Sequence, residues 1–280
     1  MSKYYYLIAG LPEIQPDDTK LSLKLQELKQ TLNETLTKKD RVVTDLIFQQ
    51  YEAKNWFAFL TNRDATLHPL GTSNSDDFED VVTQLKETEN AKIASVPSYF
   101  TTFAYAFWAE ETLFENLSWS DQLMTLFYQT AVKCDNQFVS RWFELCLNIN
   151  NLLTAHACRK HGFDVAASVV GDNETAVALR TSHARDFGVA DYFPQADAVL
   201  RIAEETDLLE REKKIDLLKW EWIEENTVFE YFTIEAVAAY LMKLEIIERW
   251  LPLNKDQGSA IFREMIQTLK SGISFEENVK

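Results

Sequence analysis

Hydrophobic residues recur with a helical period along most of this chain, most clearly in the stretch Arg141–Gly162. No charged residue occurs in the 14 positions from Leu145 to Cys158. The large apolar residues follow the i, i+3, i+4, i+7 spacing of one helix face, at Trp142, Leu145, Cys146, Ile149, Leu152 and Leu153. A helix without charges on any side is buried on more than one side. We therefore predict a central helix whose internal amides, such as Asn151, need partners inside the protein.

Other stretches of the same period surround the central helix. They predict helices over residues 21–36, 41–61, 76–87, 98–114, 121–133, 173–186, 194–225 and 234–250, and a last helix from Asn254 to Gly272. The expected caps are small or polar residues at the boundaries: Ser75 or Asp76, Ser118 or Ser120, and Gly162. The aromatic run at Tyr4–Gly10 predicts a core segment.

Turn residues are scarce, which favours helices over strands. The 280 residues contain seven Gly and six Pro, and they lack the Asn-Gly and Asp-Gly dipeptides that form β-hairpins. The sequence therefore predicts an all-α fold. Its length suits one large domain or two to three small ones.

The chain is strongly acidic, with 44 Asp and Glu, 28 Lys and Arg, and a formal net charge of −16. Nucleic acids and anionic lipid surfaces attract clusters of Lys and Arg, so binding to either is disfavoured. The three cysteines show no C-x-x-C spacing, which is typical of core thiols in a reducing compartment. The apolar opening is short and is followed by Pro and Asp, unlike a signal peptide. We expect a soluble, cytoplasmic protein.

Three predicted helices carry two polar residues three positions apart among bulky apolar residues. We call them the first, second and third polar pair: Glu52 with Asn55, Asn148 with Asn151, and Glu245 with Glu248. The second members of the pairs lie 96 and then 97 residues apart. This period predicts three similar helical bundles, with approximate boundaries at 1–75, 76–190 and 191–280.

The segment Asn151–Gly162, NLLTAHACRKHG, resembles the Asn-to-Gly helix of the C-type subunit (called d in eukaryotes) of V- and A-type ATP synthases. In that family a Gly follows eleven positions after the Asn, as Gly162 does here. An acidic residue usually stands three positions before the Asn, and Asn148 replaces it in this chain.

A second segment resembles the same family. Tyr240-Leu241, followed by Glu245 and Arg249, is similar to the Tyr-Leu…Glu…Arg helix near the family's C-terminus. Trp250 departs from that pattern, because the family prefers Asn at this position. The opening YYYLIAGLPEI resembles a divergent bacterial branch that is encoded alongside the other components of V-type ATP synthases.

The resemblance implies a funnel-like or elongated body of three helical bundles that caps the central rotor stalk and contacts the membrane ring of proteolipid subunits. It implies a non-catalytic component without a cofactor, in a complex that transports protons or sodium. Its partners would hold it at the cytoplasmic face of the membrane. We expect Asn55, Asn151 and Glu248 to be buried polar positions that orient each bundle, and Glu245 to form an i, i+4 ion pair with Arg249.

Two alternatives stay open. One is an all-α adaptor or assembly protein unrelated to the ATPase. The other, less favoured, is a magnesium-dependent prenyl-diphosphate enzyme, because Asp76, Asp77 and Asp80 spell D-D-x-x-D. That run begins a predicted helix, where Asp is favoured as a cap. The chain has no nucleotide-binding G-x-x-x-x-G-K-[ST] and no H-E-x-x-H, and His156 and His161 are badly spaced for shared metal ligation.

Overall fold

The computed structural model describes residues 4–88 and 93–251. These residues form eleven α-helices and no β-strand, which confirms the predicted all-α class. The helices are α1 Tyr5–Ala9, α2 Leu25–Thr35, α3 Lys38–Thr61, α4 Ser75–Glu87, α5 Ser98–Ala109, α6 Trp119–Ala131, α7 Gln137–His161, α8 Glu174–Thr181, α9 Ala196–Ala203, α10 Leu208–Thr227 and α11 Ile234–Trp250. Within the same ranges, every helix is too short or too polar to cross a bilayer.

The chain divides into two compact units. The continuous segment Leu36–Ile215 is one unit, and the two ends of the chain, up to Thr35 and from Asp216 onward, make the other. We call them the middle unit and the terminal unit. The division into three bundles at 1–75, 76–190 and 191–280 stays a prediction.

Two long helices, α3 and α7, organise the middle unit. Helix α3 packs against α4, α5 and α6, and α7 packs against α6, α8 and α9. Aromatic side chains fill the core around α3, where the Trp56 ring stacks on Phe100 with centroids 5.5 Å apart and lies 5.2 Å from Phe78. The indole N–H of Trp56 donates to the Phe100 carbonyl at 3.3 Å, so this buried polar atom is satisfied.

The terminal unit is built on α11, which packs against α2. Leu25, Leu28 and Leu32 are the buried residues of α2, at the spacing of one helix face. Helix α11 buries a wider surface, with Val237, Leu241, Leu244 and Ile247 among its core residues. This core therefore joins two helices from opposite ends of the sequence.

Local capping explains most helix boundaries. Ser118 accepts the Asp121 N–H at the start of α6, and Gly162 ends α7 with a left-handed φ of +74°, so both predicted caps are confirmed. The prediction of Ser75 or Asp76 as the cap of α4 was wrong. Asn74 is the cap, in a reciprocal capping box with Asp77.

The predicted helix over 194–225 is interrupted. Helix α9 ends at Ala203 and α10 begins at Leu208. The break occurs because the Asp207 carboxylate accepts the N–H groups of Leu209 and Glu210, and so caps a new helix. The period of apolar residues continues across this break, which is why the sequence suggested a single helix.

The opening aromatic run is only partly buried. Tyr4 is buried, whereas the Tyr5 and Tyr6 side chains are 44% and 75% exposed. The prediction of a core segment was therefore wrong for Tyr5 and Tyr6. The predicted last helix, Asn254 to Gly272, lies outside the described residues.

Candidate functional site

The first polar pair binds the loop that connects α3 to α4. The side-chain amide of Asn55 donates to the His68 carbonyl at 3.0 Å, and its oxygen accepts the His68 N–H at 2.7 Å. Asn55 is buried, and the backbone N–H and C=O of one residue, His68, satisfy both halves of its amide. The loop is thereby attached to the middle of α3.

Glu52, the other member of the first pair, binds the same loop one turn earlier on α3. Its carboxylate accepts the N–H groups of Thr72 at 2.6 Å and Ser73 at 3.0 Å. The loop backbone comes very close to α3 at Gly71. A Cβ added to this residue would lie 2.1 Å from the Asn55 amide nitrogen. Glycine is therefore required at position 71 by the approach of the loop to α3.

The second polar pair repeats this arrangement on α7. The Asn151 amide donates to the Val170 carbonyl at 2.6 Å and accepts the Val170 N–H at 2.9 Å. Asn148 accepts a hydrogen bond at 2.8 Å from the side chain of Asn173, which is the N-cap of α8. Helices α3 and α7 therefore use the same residue type, Asn, to bind the backbone N–H and C=O of one residue in the loop that follows.

The third polar pair lies on α11 in the terminal unit. Glu248 is half-buried, and its carboxylate accepts the N–H of Leu25, the first residue of α2, at 2.6 Å. A carboxylate cannot donate, so Glu248 cannot bind both the backbone N–H and the C=O of one residue as Asn55 and Asn151 do. Glu245 is also half-buried. The bound segment here precedes α11 in sequence by more than 200 residues, whereas the first two pairs bind loops that follow them.

Arg249 forms a salt bridge with Asp216, a residue of α10 that the sequence reasoning missed. Asp216 is buried, and it also accepts the indole N–H of Trp250 at 2.8 Å. The signal in the sequence is its register: Asp216, Trp220 and Ile223 follow the spacing of one face of α10, and all three are buried. A carboxylate on such a face needs a cationic partner.

Two arginines bind further loop carbonyls in the middle unit. Arg180 donates to the carbonyls of Val169 at 2.8 Å and Gly171 at 2.6 Å, on either side of the residue that Asn151 binds. Arg159 donates to the Ser182 carbonyl at 2.6 Å and lies over the Phe187 ring. These contacts explain why polar groups in the loops around α8 are satisfied without regular structure.

The surroundings of the first polar pair alter the pKa of two neighbours. Burial, and then the positive charge of Lys54, lower the pKa of His68, whose Nδ1 accepts the Leu70 N–H at 3.2 Å. Burial, and then the negative charge of Glu52, raise the pKa of Tyr99. The neutral forms of both side chains are therefore favoured in the folded protein.

The acidic run at Asp76, Asp77 and Asp80 lies on the first turns of α4 and is exposed. Asp77 accepts the Asn74 N–H at 2.8 Å as part of the helix cap. Across residues 4–88 and 93–251, no group of three or more His, Cys, Asp or Glu side chains is arranged to hold a metal ion. His156 contacts Glu204 of the loop after α9 at 3.1 Å.

Comparison with known proteins identifies a family. The family described as "Protein of unknown function (DUF2764)" matches residues 1–273, which is nearly the whole chain. No curated protein and no solved structure matches the chain. The polar pairs, the buried Asp216 and the helices that carry them all lie within the matched range, and the chain belongs to the family described as "Protein of unknown function (DUF2764)".

Proposed function

We propose that this protein is a non-catalytic component of a V-type ATP synthase, similar to the C-type subunit, that connects the central rotor stalk to the membrane ring of proteolipid subunits. The observation that carries the proposal is the common role of Asn55 and Asn151. Each lies on a long helix and binds the backbone N–H and C=O of one residue in the loop that follows. Repeated helical bundles would use one residue type in this way.

The end of α7 supports the same proposal. The resemblance to the C-type subunit depends on the segment from Asn151 to Gly162. In the structure Asn151 is buried within α7, and Gly162 ends this helix with a left-handed backbone. Glu248 of α11 belongs to the second resembling segment and also binds backbone of another helix. The first resembling segment therefore contains Asn151 of the second polar pair, and the second contains both members of the third polar pair.

A mechanical role suits these contacts. A protein that transmits torque has to keep its loops and helices in one arrangement under load. Buried side chains that hydrogen-bond loop backbone restrict local opening, because each broken bond exposes a buried polar group. ATP would be bound by other members of the complex, and this chain would contribute broad protein interfaces.

The alternative of an adaptor or assembly protein outside the ATPase predicts different partners. A pull-down separates the two functions: the tagged chain is purified from the native membrane fraction, and co-purified proteins are quantified by mass spectrometry. Stoichiometric recovery of stalk and proteolipid-ring subunits is the expected result. Recovery of other proteins without any component of the ATP synthase would overturn the proposal.

A pair of variants links this experiment to the structure. Asn151→Leu removes the contact with Val170, whereas Asn33→Leu changes an exposed Asn on α2. We expect Asn151→Leu to reduce the recovery of stalk and ring subunits and Asn33→Leu to leave it unchanged. Equal recovery with both variants would show that the polar pair is not needed for assembly.

A further inference from the structure

Five large apolar side chains are exposed near one end of α10 and on α1, all in the terminal unit. Tyr5 and Tyr6 belong to α1, and Val228, Phe229 and Tyr231 belong to the turn between α10 and α11. The exposed fraction reaches 75% for Tyr6, 82% for Phe229 and 67% for Tyr231. We call these five residues the aromatic patch.

Ring contacts join α1 to the turn. The Tyr5 ring lies 4.9 Å from the Phe232 ring and 5.5 Å from the Tyr6 ring, centroid to centroid. The exposed tyrosines of α1 therefore sit beside the turn that carries the other exposed side chains. Apolar side chains that are exposed close together are typical of interaction sites, whereas single exposed apolar residues occur on any protein surface.

The turn is held in a defined conformation. The Glu230 N–H donates to the Thr227 carbonyl at 2.9 Å, and the Glu230 carboxylate accepts the Thr233 hydroxyl at 2.7 Å. Thr233 in turn caps α11 by accepting the Ala236 N–H. Large aromatic side chains presented by an ordered turn are typical of the anchors that dominate protein interfaces.

The chain on both sides of the turn is acidic. The segment 221–235 contains five glutamates, at positions 221, 224, 225, 230 and 235, and no Lys or Arg. One of them, Glu224, contacts Lys243 at 3.0 Å, while Glu221 and Glu225 are exposed. The apolar side chains are therefore accompanied by negative charge, which restricts the partners that can approach.

We propose that the aromatic patch is the docking site of a partner protein whose surface offers an apolar groove bordered by Lys and Arg. Apolar pockets match the exposed rings, and basic side chains match the glutamates. Anionic lipid and nucleic acid are repelled by the same glutamates. A second copy of the chain, docked by the same surface, would place like charges together. This docking site does not depend on the proposed ATP synthase role.

Site-specific photo-crosslinking in cells tests the docking site on the full-length chain. A photoreactive phenylalanine analogue replaces Phe229 or Tyr6, and in the control it replaces Phe163, which is 59% exposed in the middle unit. We expect positions 229 and 6 to crosslink to the same protein, and position 163 not to do so. Peptide mapping should place the adduct among apolar residues on a surface with more Lys and Arg than Asp and Glu.

Several results would overturn the docking site. One is equal crosslinking yield at positions 229 and 163. Another is an adduct on an acidic surface or on lipid. A third is an adduct with a second copy of the chain or with residues 252–280 of the same chain. A basic partner outside the ATP synthase would support the docking site and count against the proposed function, so the two ideas fail separately.

Variants then measure the contribution of rings and charges. Phe229→Ser with Tyr231→Ser should weaken capture of the crosslinked partner by roughly tenfold or more, as expected for interface anchors. Glu221→Lys with Glu225→Lys should also weaken it while leaving every ring in place. The control Phe163→Ser should bind like the parent protein, and circular dichroism checks that all variants are folded. Undiminished capture by both the Phe229/Tyr231 variant and the Glu221/Glu225 variant would refute the docking site.

Discussion

The Asn151 side chain and the backbone of Val170 form two hydrogen bonds to each other, at 2.6 Å and 2.9 Å. Asn55 makes the same reciprocal contact with His68, on a different long helix of the middle unit. A buried amide whose donor and acceptor are both used by the backbone of one residue binds a loop with defined position and direction. This relationship gives the first prediction.

Replacing Asn151 by Leu should destabilise the protein by about 2–4 kcal/mol, because both polar groups of Val170 lose a partner inside the protein. Asn33→Leu, which changes an exposed residue of α2, is the control and should stay within about 0.5 kcal/mol of the parent protein. Urea unfolding followed by circular dichroism measures the difference. Equal midpoints for the two variants would contradict a stabilising role of the second polar pair.

Replacing Gly71 by Ala should break the first polar pair. The added Cβ would lie 2.1 Å from the Asn55 amide nitrogen and 2.9 Å from a Glu52 oxygen, so either the loop or these two side chains must move and their hydrogen bonds are disturbed. We expect a loss of about 1–3 kcal/mol, the range found for overpacked sites. Gly10→Ala is the control, since its Cβ would come no closer than 3.3 Å to the carbonyl oxygen of Tyr6.

Hydrogen exchange gives a second measurement for Gly71→Ala. Faster exchange of the Thr72 and Ser73 amides, which donate to Glu52 in the parent protein, is the expected local signature. Unchanged exchange together with unchanged stability would mean that the loop does not depend on its contact with α3.

Removing the Asp216 carboxylate should destabilise the terminal unit. Asp216→Ala leaves the Trp250 indole N–H without its acceptor and removes the salt bridge of Arg249. Because Arg249 is about half exposed, water can replace part of the lost contact, and we expect a loss of about 1–3 kcal/mol. Glu221→Ala changes an exposed acid on the same helix and should have little effect.

Thermal unfolding at neutral pH compares the two α10 variants. A lower melting temperature for Asp216→Ala than for Glu221→Ala is expected. If Asp216→Ala melts at the same temperature as the parent protein, the buried carboxylate contributes nothing to stability, as happens for some buried ion pairs.

The loop between α3 and α4 should weaken in mild acid. Burial and the charge of Lys54 lower the pKa of His68 below its ordinary value, so the neutral ring stabilises the fold at pH values above about 6.5. That contribution is lost as the pH falls below about 6.5 toward the lowered pKa, because the unfolded chain then binds the proton more readily. Protonation also removes the Nδ1 acceptor used by Leu70.

Unfolding free energies at pH 7 and pH 5 measure this effect. The parent protein should lose more stability over this interval than His68→Asn, which has no group that titrates there. Identical pH dependence in the two proteins would assign the acid sensitivity to other residues. His183→Asn, at an exposed position of the middle unit, serves as the control.

Helix positions were largely predictable from the sequence. The apolar period located α3, α7 and α11, and the cap residues Ser118 and Gly162 marked helix ends as expected. These signals act within one or two turns, so local patterns along the chain are sufficient. The break at Asp207 was missed because a capping aspartate and a solvent-exposed helical aspartate look alike in sequence.

Exposure of the opening aromatic run was not predictable in the same way. Tyr4, Tyr5 and Tyr6 are chemically alike, and only Tyr4 is buried. Which of three adjacent aromatic side chains enters a core depends on the direction in which α1 presents them to its neighbours. Composition favours burial of all three, and packing allows it for one.

The sequence by itself determined that this protein is helical and that Asn55, Asn151 and Glu248 need polar partners. Both conclusions follow from the spacing of apolar residues within a few turns of each position. Only the tertiary structure decided which groups these side chains bind. His68, Val170 and Leu25 lie 13, 19 and 223 residues away along the chain. Contacts over such separations depend on how helices pack and loops close, and no local pattern encodes them.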